Sequence, residues 1–170
     1  VKYKIMTNRS IDLSVDFSIS EKEFIDQYGQ ENWLKFKNNF IEKTARFCVG
    51  CNYAPKEVEK LQIHILNKEI NFDNIDACFL CPACHSIKHF DIAAKNEWIV
   101  LVNSKFSQEK LVSICREGNI KLKQLINEKQ IFLLKKTPSE YMEEIMNKPW
   151  RKDDRIKIIF GSKFNWKNTR

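Results

Sequence analysis

Apolar and polar residues alternate with period two along Ile11, Asp12, Leu13, Ser14, Val15, Asp16 and Phe17, which predicts a half-buried strand. At 20–23 the run Ser-Glu-Lys-Glu is a capping box, so a short helix should begin there with Phe24, Ile25 and Tyr28 facing inward. Beyond Gly29, residues 31–46 space Trp33, Leu34, Phe36, Phe40, Ile41 and Ala45 as a second helix, one that delivers the chain to Cys48. Between 48 and 92 the helical period fades. Leu61–Ile65 reads as a strand, 78–80 as a second short one, 84–95 as a helix and 98–102 as a continuous apolar strand.

Further on, Ser107 should cap a helix carrying Leu111, Val112, Ile114 and Cys115, with Gly118 as its stop. Residues 120–135 fit helix and strand equally. Thr137-Pro138-Ser139-Glu140 opens another helix, with Pro at the first helical position and Glu reaching back, and it stops before Pro149. A last strand, 155–160, ends at Gly161. The fold class expected is α+β. At 170 residues and 43% apolar composition the chain has the size and core of a single domain, residues 1–170. It divides into an N-terminal strand and helices (1–47), a cysteine- and histidine-rich centre (48–95) and a C-terminal α/β region (96–170).

Charge narrows the partners. A net charge of +7 favours a polyanion, because each neutralised phosphate releases a counterion. Residues 150–170 hold seven of the cations against Asp153 and Asp154, interleaved with Trp150, Phe160, Phe164 and Trp166. That tail reads either as a nucleic-acid surface or as a terminal strand that buries its aromatics and shows its charges to water. No apolar run approaches the roughly 20 residues of a membrane span. Nor does VKYKIMTNRS carry the apolar stretch of a signal peptide. A reducing, cytoplasmic setting is expected, with no membrane partner.

In such a setting CxxC spacing reads as a metal site. Cys48-Val49-Gly50-Cys51 and Cys81-Pro82-Ala83-Cys84 are two such turns, 29 residues apart. Two thiolates in each can close a tetrahedral Zn²⁺ site, leaving no open position for substrate, so the zinc would hold structure. Cys78, three before Cys81, is a competing ligand; Cys81 is preferred because it shares a turn with Cys84. Cys78 and Cys115 then default to buried small hydrophobes. The chain's three histidines, His64, His85 and His89, all fall in this centre. His85 and His89 are four apart on the expected helix and can grip one ion.

At CVGC, LQIHI and CFLCPACHSIKH, over about residues 48–92, the sequence resembles the HNH endonucleases in their four-cysteine, zinc-stabilised form. The resemblance implies a ββα-metal core with helical elaborations on both sides, and divalent-metal-dependent hydrolysis of phosphodiesters in DNA. It implies Mg²⁺ or another divalent cation held by His64, His85 and His89, and it makes Lys88 a phosphate contact. His64 fits two registers. In one it is a metal ligand and the base position falls on Ile65. In the other it is the base, and the carboxylate ligand position falls on Ile63. The family's Asn position is taken by Asp76, with Asn74 two earlier. Asp76 would orient an imidazole by accepting its N–H, and a base could instead come from Glu69, Asp73 or Tyr53. The alternative is an impaired zinc module of this kind that binds nucleic acid or a protein partner without cleaving.

Overall fold

A computed structural model describes residues 2–5, 19–69, 74–147 and 155–167, with side chains left aside at 2–5 and 143–147. The strand expected at 11–17 lies outside the described residues, as do Trp150 and Asp73. The chain divides into two compact units, and the division falls after His85.

In the first unit, helix α1 (Glu21–Tyr28) begins as the capping box requires. The Ser20 hydroxyl accepts from the Glu23 N–H at 3.2 Å, and the Glu23 carboxylate accepts from the Ser20 N–H at 2.7 Å. Gly29, at φ 86°, both ends α1 and opens α2 (Gln30–Lys43). A side chain would be strained in that conformation. Phe24, Trp33, Phe36 and Phe40 form a buried aromatic row along the two helices. Its ring centroids are 5.3, 5.6 and 5.7 Å apart in turn. The helix is shorter than the expected 31–46. Thr44 turns extended, which frees the chain to form the Cys48 turn, and Ala45 is exposed. Leu34 points out as well, at 46% exposure, because it sits about 100° round the helix from Trp33.

A three-stranded sheet follows. Strand β2 (Gln62–Ile65) pairs antiparallel with β3 (Asn74–Leu80), His64 opposite Cys78 and Ile65 opposite Ala77. Strand β1 (Lys2–Ile5) runs parallel to β3 on its other side. Alternation puts Gln62, His64, Asp76 and Cys78 on one face of the sheet. Phe79, on the other face, meets Phe40 edge-on at 4.9 Å, joining the sheet to the aromatic row.

The helix expected over 84–95 is two. Helix α3 (Pro82–Lys88) starts two residues early, since Pro at the first position loses no hydrogen bond. Helix α4 (Phe90–Lys95) follows a break at His89, whose φ of −102° and ψ of 59° are not helical. No Gly or Pro marks the break, so hydrophobic spacing runs through it.

The second unit holds a sheet in the order β5–β4–β6, built from β4 (Ile99–Ser104), β5 (Ile131–Leu133) and β6 (Ile156–Phe160), antiparallel throughout. Helix α5 (Gln108–Glu117) is capped by Ser107 and stopped at Gly118 as expected. The buried Gln108 amide both donates to the Ile158 carbonyl (2.7 Å) and accepts from its N–H (2.8 Å), fastening α5 to β6. The ambiguous stretch resolves into helix α6 (Asn119–Asn127) and then β5. Helix α7 (Pro138–Asn147) begins with reciprocal Thr137–Glu140 hydrogen bonds. In the tail Phe160 and Phe164 are buried and Trp166 half-buried, the three rings packing on one another at 4.5 to 5.3 Å, which favours the terminal-strand reading there. Among the described residues no helix is long and apolar enough to cross a membrane.

Candidate metal centre

The first CxxC turn is shaped by backbone bonds. Cys48 N–H donates to the Tyr53 carbonyl and Asn52 N–H to the Cys48 carbonyl, both at 2.8 Å, with Asn52 left-handed at φ 61°. Val49 N–H then donates to the Phe79 carbonyl at 3.0 Å, tying the turn to β3. The second turn is the start of α3, where Cys84 N–H points at the Cys81 sulfur at 3.5 Å.

These two turns bring the sulfurs of Cys48, Cys51, Cys81 and Cys84 within 4.8 Å of one another. Cys51 and Cys81 Sγ are 3.8 Å apart. That is the edge of a tetrahedron whose corners lie roughly 2.3 Å from a central Zn²⁺, and nearly twice the roughly 2.05 Å of a disulfide. None of the six cysteines is in a disulfide. The group is positioned for zinc.

Without a cation four thiols this close cannot all ionise. For Cys48, contact with Cys51 raises the pKa, but contacts with Cys81 and Cys84 outweigh it and leave the value below that of an ordinary thiol. Cys81 and Cys84 are pushed well up, first by hydrogen bonds to Cys48 and Cys51, then by burial. A divalent ion would remove that conflict. Cys78 is buried on β3 and Cys115 in α5, and neither belongs to the group. Burial pushes the Cys115 thiol up.

The three histidines form a second group. One ring nitrogen from each of His64, His85 and His89 lies within 4.8 Å of the others. His64 is fully buried on β2, and its ring stands nearly perpendicular to that of His85, with centroids 5.2 Å apart. His85 projects from α3, and His89 follows one residue past the helix end. The Nδ1 of His85 lies 2.8 Å from the Gln62 Oε1. With Nδ1–H donating there, the Nε2 lone pair is left for a cation. Sequence reasoning missed Gln62, although the alternation of β2 puts it on the same face as His64.

Asp76 is not in either group. It sits two residues before Cys78 on the same strand face, and its Oδ1 is buried with no hydrogen-bond partner among the described residues. The start of β3 is held by Asn67, which no motif singled out. Its side chain accepts from the Asp76 N–H at 2.7 Å and donates to the Asn74 carbonyl at 3.0 Å. Lys88 is buried at the end of α3, 5% exposed. Glu69 is exposed, Tyr53 half-buried.

An open cleft of about 550 Å³ adjoins His85 and Gln62. Trp33, Lys37, Ile41 and Glu59 are among its other walls. Glu59 brings a carboxylate that no sequence motif suggested. Compared with protein-family models, with curated proteins and with solved structures, the chain matches none.

Proposed function

We propose that this chain is a divalent-metal-dependent nuclease of the HNH kind acting on DNA, its strand–strand–helix centre held by one zinc on Cys48, Cys51, Cys81 and Cys84. The observation that carries the reading is His64 facing His85 at 5.2 Å on the same hairpin and helix that gather the four sulfurs. His89 adds a third nitrogen. Three imidazoles suit a transition-type ion such as Mn²⁺, Ni²⁺ or Zn²⁺ better than Mg²⁺, which prefers oxygen ligands. When bound, such an ion would stabilise the added charge on a phosphoryl centre and on the leaving oxygen.

The residues divide the remaining work. His64, His85 and His89 hold the site, and Gln62 fixes the tautomer and direction of His85. His64, gathered with the other two imidazoles, is read as a ligand. A proton acceptor is then needed elsewhere, and Glu59 stands in the cleft that His85 borders. His64 is buried, while His85 and His89 are only half-buried, so the site stays open to substrate from the cleft side.

Plasmid nicking with Mn²⁺, Ni²⁺ and Mg²⁺, for the wild type and His85→Ala, tests this. Nicking that prefers the transition ions and falls at least about a hundredfold in the variant, with zinc retained, supports it. Equal nicking by both proteins, or none by either, overturns it. One observation favours a second reading, binding without cleavage: among the described residues no carboxylate joins the imidazole group, and Ile63 and Ile65 flank His64. Salt-dependent binding without nicking would establish that reading instead.

A further inference from the structure

Away from the histidines, the second unit contains a pocket of about 310 Å³, at the small end of the roughly 300–1,000 Å³ typical of ligand sites. Lys105, Lys129 and Arg155 line it together with Phe106 and Phe132, and among the described residues no carboxylate does. None of the three cations makes an ion pair among the described residues. Phe132 is 53% exposed on β5, an edge strand of its sheet.

The pocket is built on one buried residue. Ser104 N–H donates to the Arg155 carbonyl at 2.8 Å, and its hydroxyl donates to the Gln130 carbonyl at 3.3 Å. That hydroxyl also accepts from the Phe106 N–H at 3.1 Å. Ser104 thus pins together the three segments that carry the cations and rings. Lys129 adds a second sign. It holds the left-handed position after α6, at φ 57°, where glycine is the easier residue.

We propose that this pocket binds an unpaired nucleotide, its base stacked on Phe132 and its phosphate among Lys105, Lys129 and Arg155. A flat apolar ring beside convergent cations is what single-stranded nucleic acid recognition needs, since every base has a π-face and every link a phosphate. Paired bases, stacked inside a duplex, cannot offer a face to Phe132. The inference does not rest on the nuclease reading, because it concerns binding at residues outside the histidine group.

Anisotropy of a labelled short oligothymidylate tests it, with a duplex for comparison. His85→Ala serves as the background, so that cleavage does not blur the reading. Phe132→Ala should weaken single-strand binding by roughly tenfold and leave duplex binding within about twofold. Arg155→Ala and Lys129→Ala should each lower the salt slope by about 0.7. Displacement by thymidine 5′-monophosphate would identify a free nucleotide as sufficient, and its failure with strand binding intact would identify the polymer as the ligand; both support the pocket. No single-strand binding, no effect of Phe132→Ala, equal loss for duplex and single strand, or an unchanged salt slope would overturn it. Loss of nicking alone would bear only on the nuclease reading.

Discussion

Gln62 Oε1 lies 2.8 Å from Nδ1 of His85, so a strand residue is placed to orient a helix residue's ring and, in the proposed metal site, to leave its Nε2 for the ion. Partners of this kind raise ligand basicity and hold ring orientation. Losing one typically costs 10- to 100-fold in metal affinity. Gln62→Ala is expected to weaken binding of Mn²⁺, followed by electron paramagnetic resonance, by roughly that factor while zinc content stays at one per chain. Excess Mn²⁺ should restore activity. An unchanged Mn²⁺ affinity would show that Gln62 does not orient His85.

The sulfurs make a separate statement. With Cys51 and Cys81 Sγ 3.8 Å apart, Cys84→Ser or Cys48→Ser should release zinc and unfold the first unit. A structural Zn²⁺ contributes about 10 kcal/mol or more in small zinc domains, comparable to the whole stability of a domain. Cys78→Ala and Cys115→Ala should both keep the metal, because neither sulfur belongs to the group. Zinc analysis and thermal melting of these four variants and of Cys81→Ser give the answer. Zinc lost from Cys78→Ala, but kept by Cys81→Ser, would restore the competing ligand assignment.

Local signals were legible wherever the chemistry is local. The Ser20 and Thr137 caps, the Gly118 stop and the two CxxC turns all appear where the motifs place them. Tertiary demands were not. Thr44 ends α2 early to free the chain before Cys48, and His89 breaks a helix that periodicity runs straight through. Gln62, Glu59 and Asn67 belong to no motif, and only the folded hairpin and helices reveal their neighbours. Stretch 120–135 was ambiguous because it is in fact both, the helix that ends at Asn127 giving way to an edge strand at Ile131–Leu133.

Acid should loosen the start of α7. The Thr137 N–H, bonded to the Glu140 carboxylate at 2.8 Å, and then the Thr137 hydroxyl hold Glu140 below its ordinary value of 4.5. A depressed carboxyl contributes stability that is present above the unfolded value and lost as pH falls through the lower folded one. Carbon-detected titration of the Glu140 carboxyl should therefore show a midpoint below 4.5, shifted upward in Thr137→Ala. A wild-type midpoint at or above 4.5 would mean the cap does not form.

The aromatic row and the zinc turn should be coupled. Phe40 meets Phe79 edge-on at 4.9 Å, and the Phe79 carbonyl accepts the Val49 N–H from inside the first CxxC turn. Removing the Phe40 ring should cost about 3–5 kcal/mol, from lost burial plus the cavity it leaves. It should also let β3 shift against the turn, so that a chromogenic chelator takes zinc from Phe40→Ala faster than from the wild type. Leu34→Ala, on the exposed side of the same helix, is expected to stay within about 0.5 kcal/mol and leave the zinc transfer rate alone. If both variants melt lower yet release zinc at the wild-type rate, then the turn holds its metal independently of the core behind it.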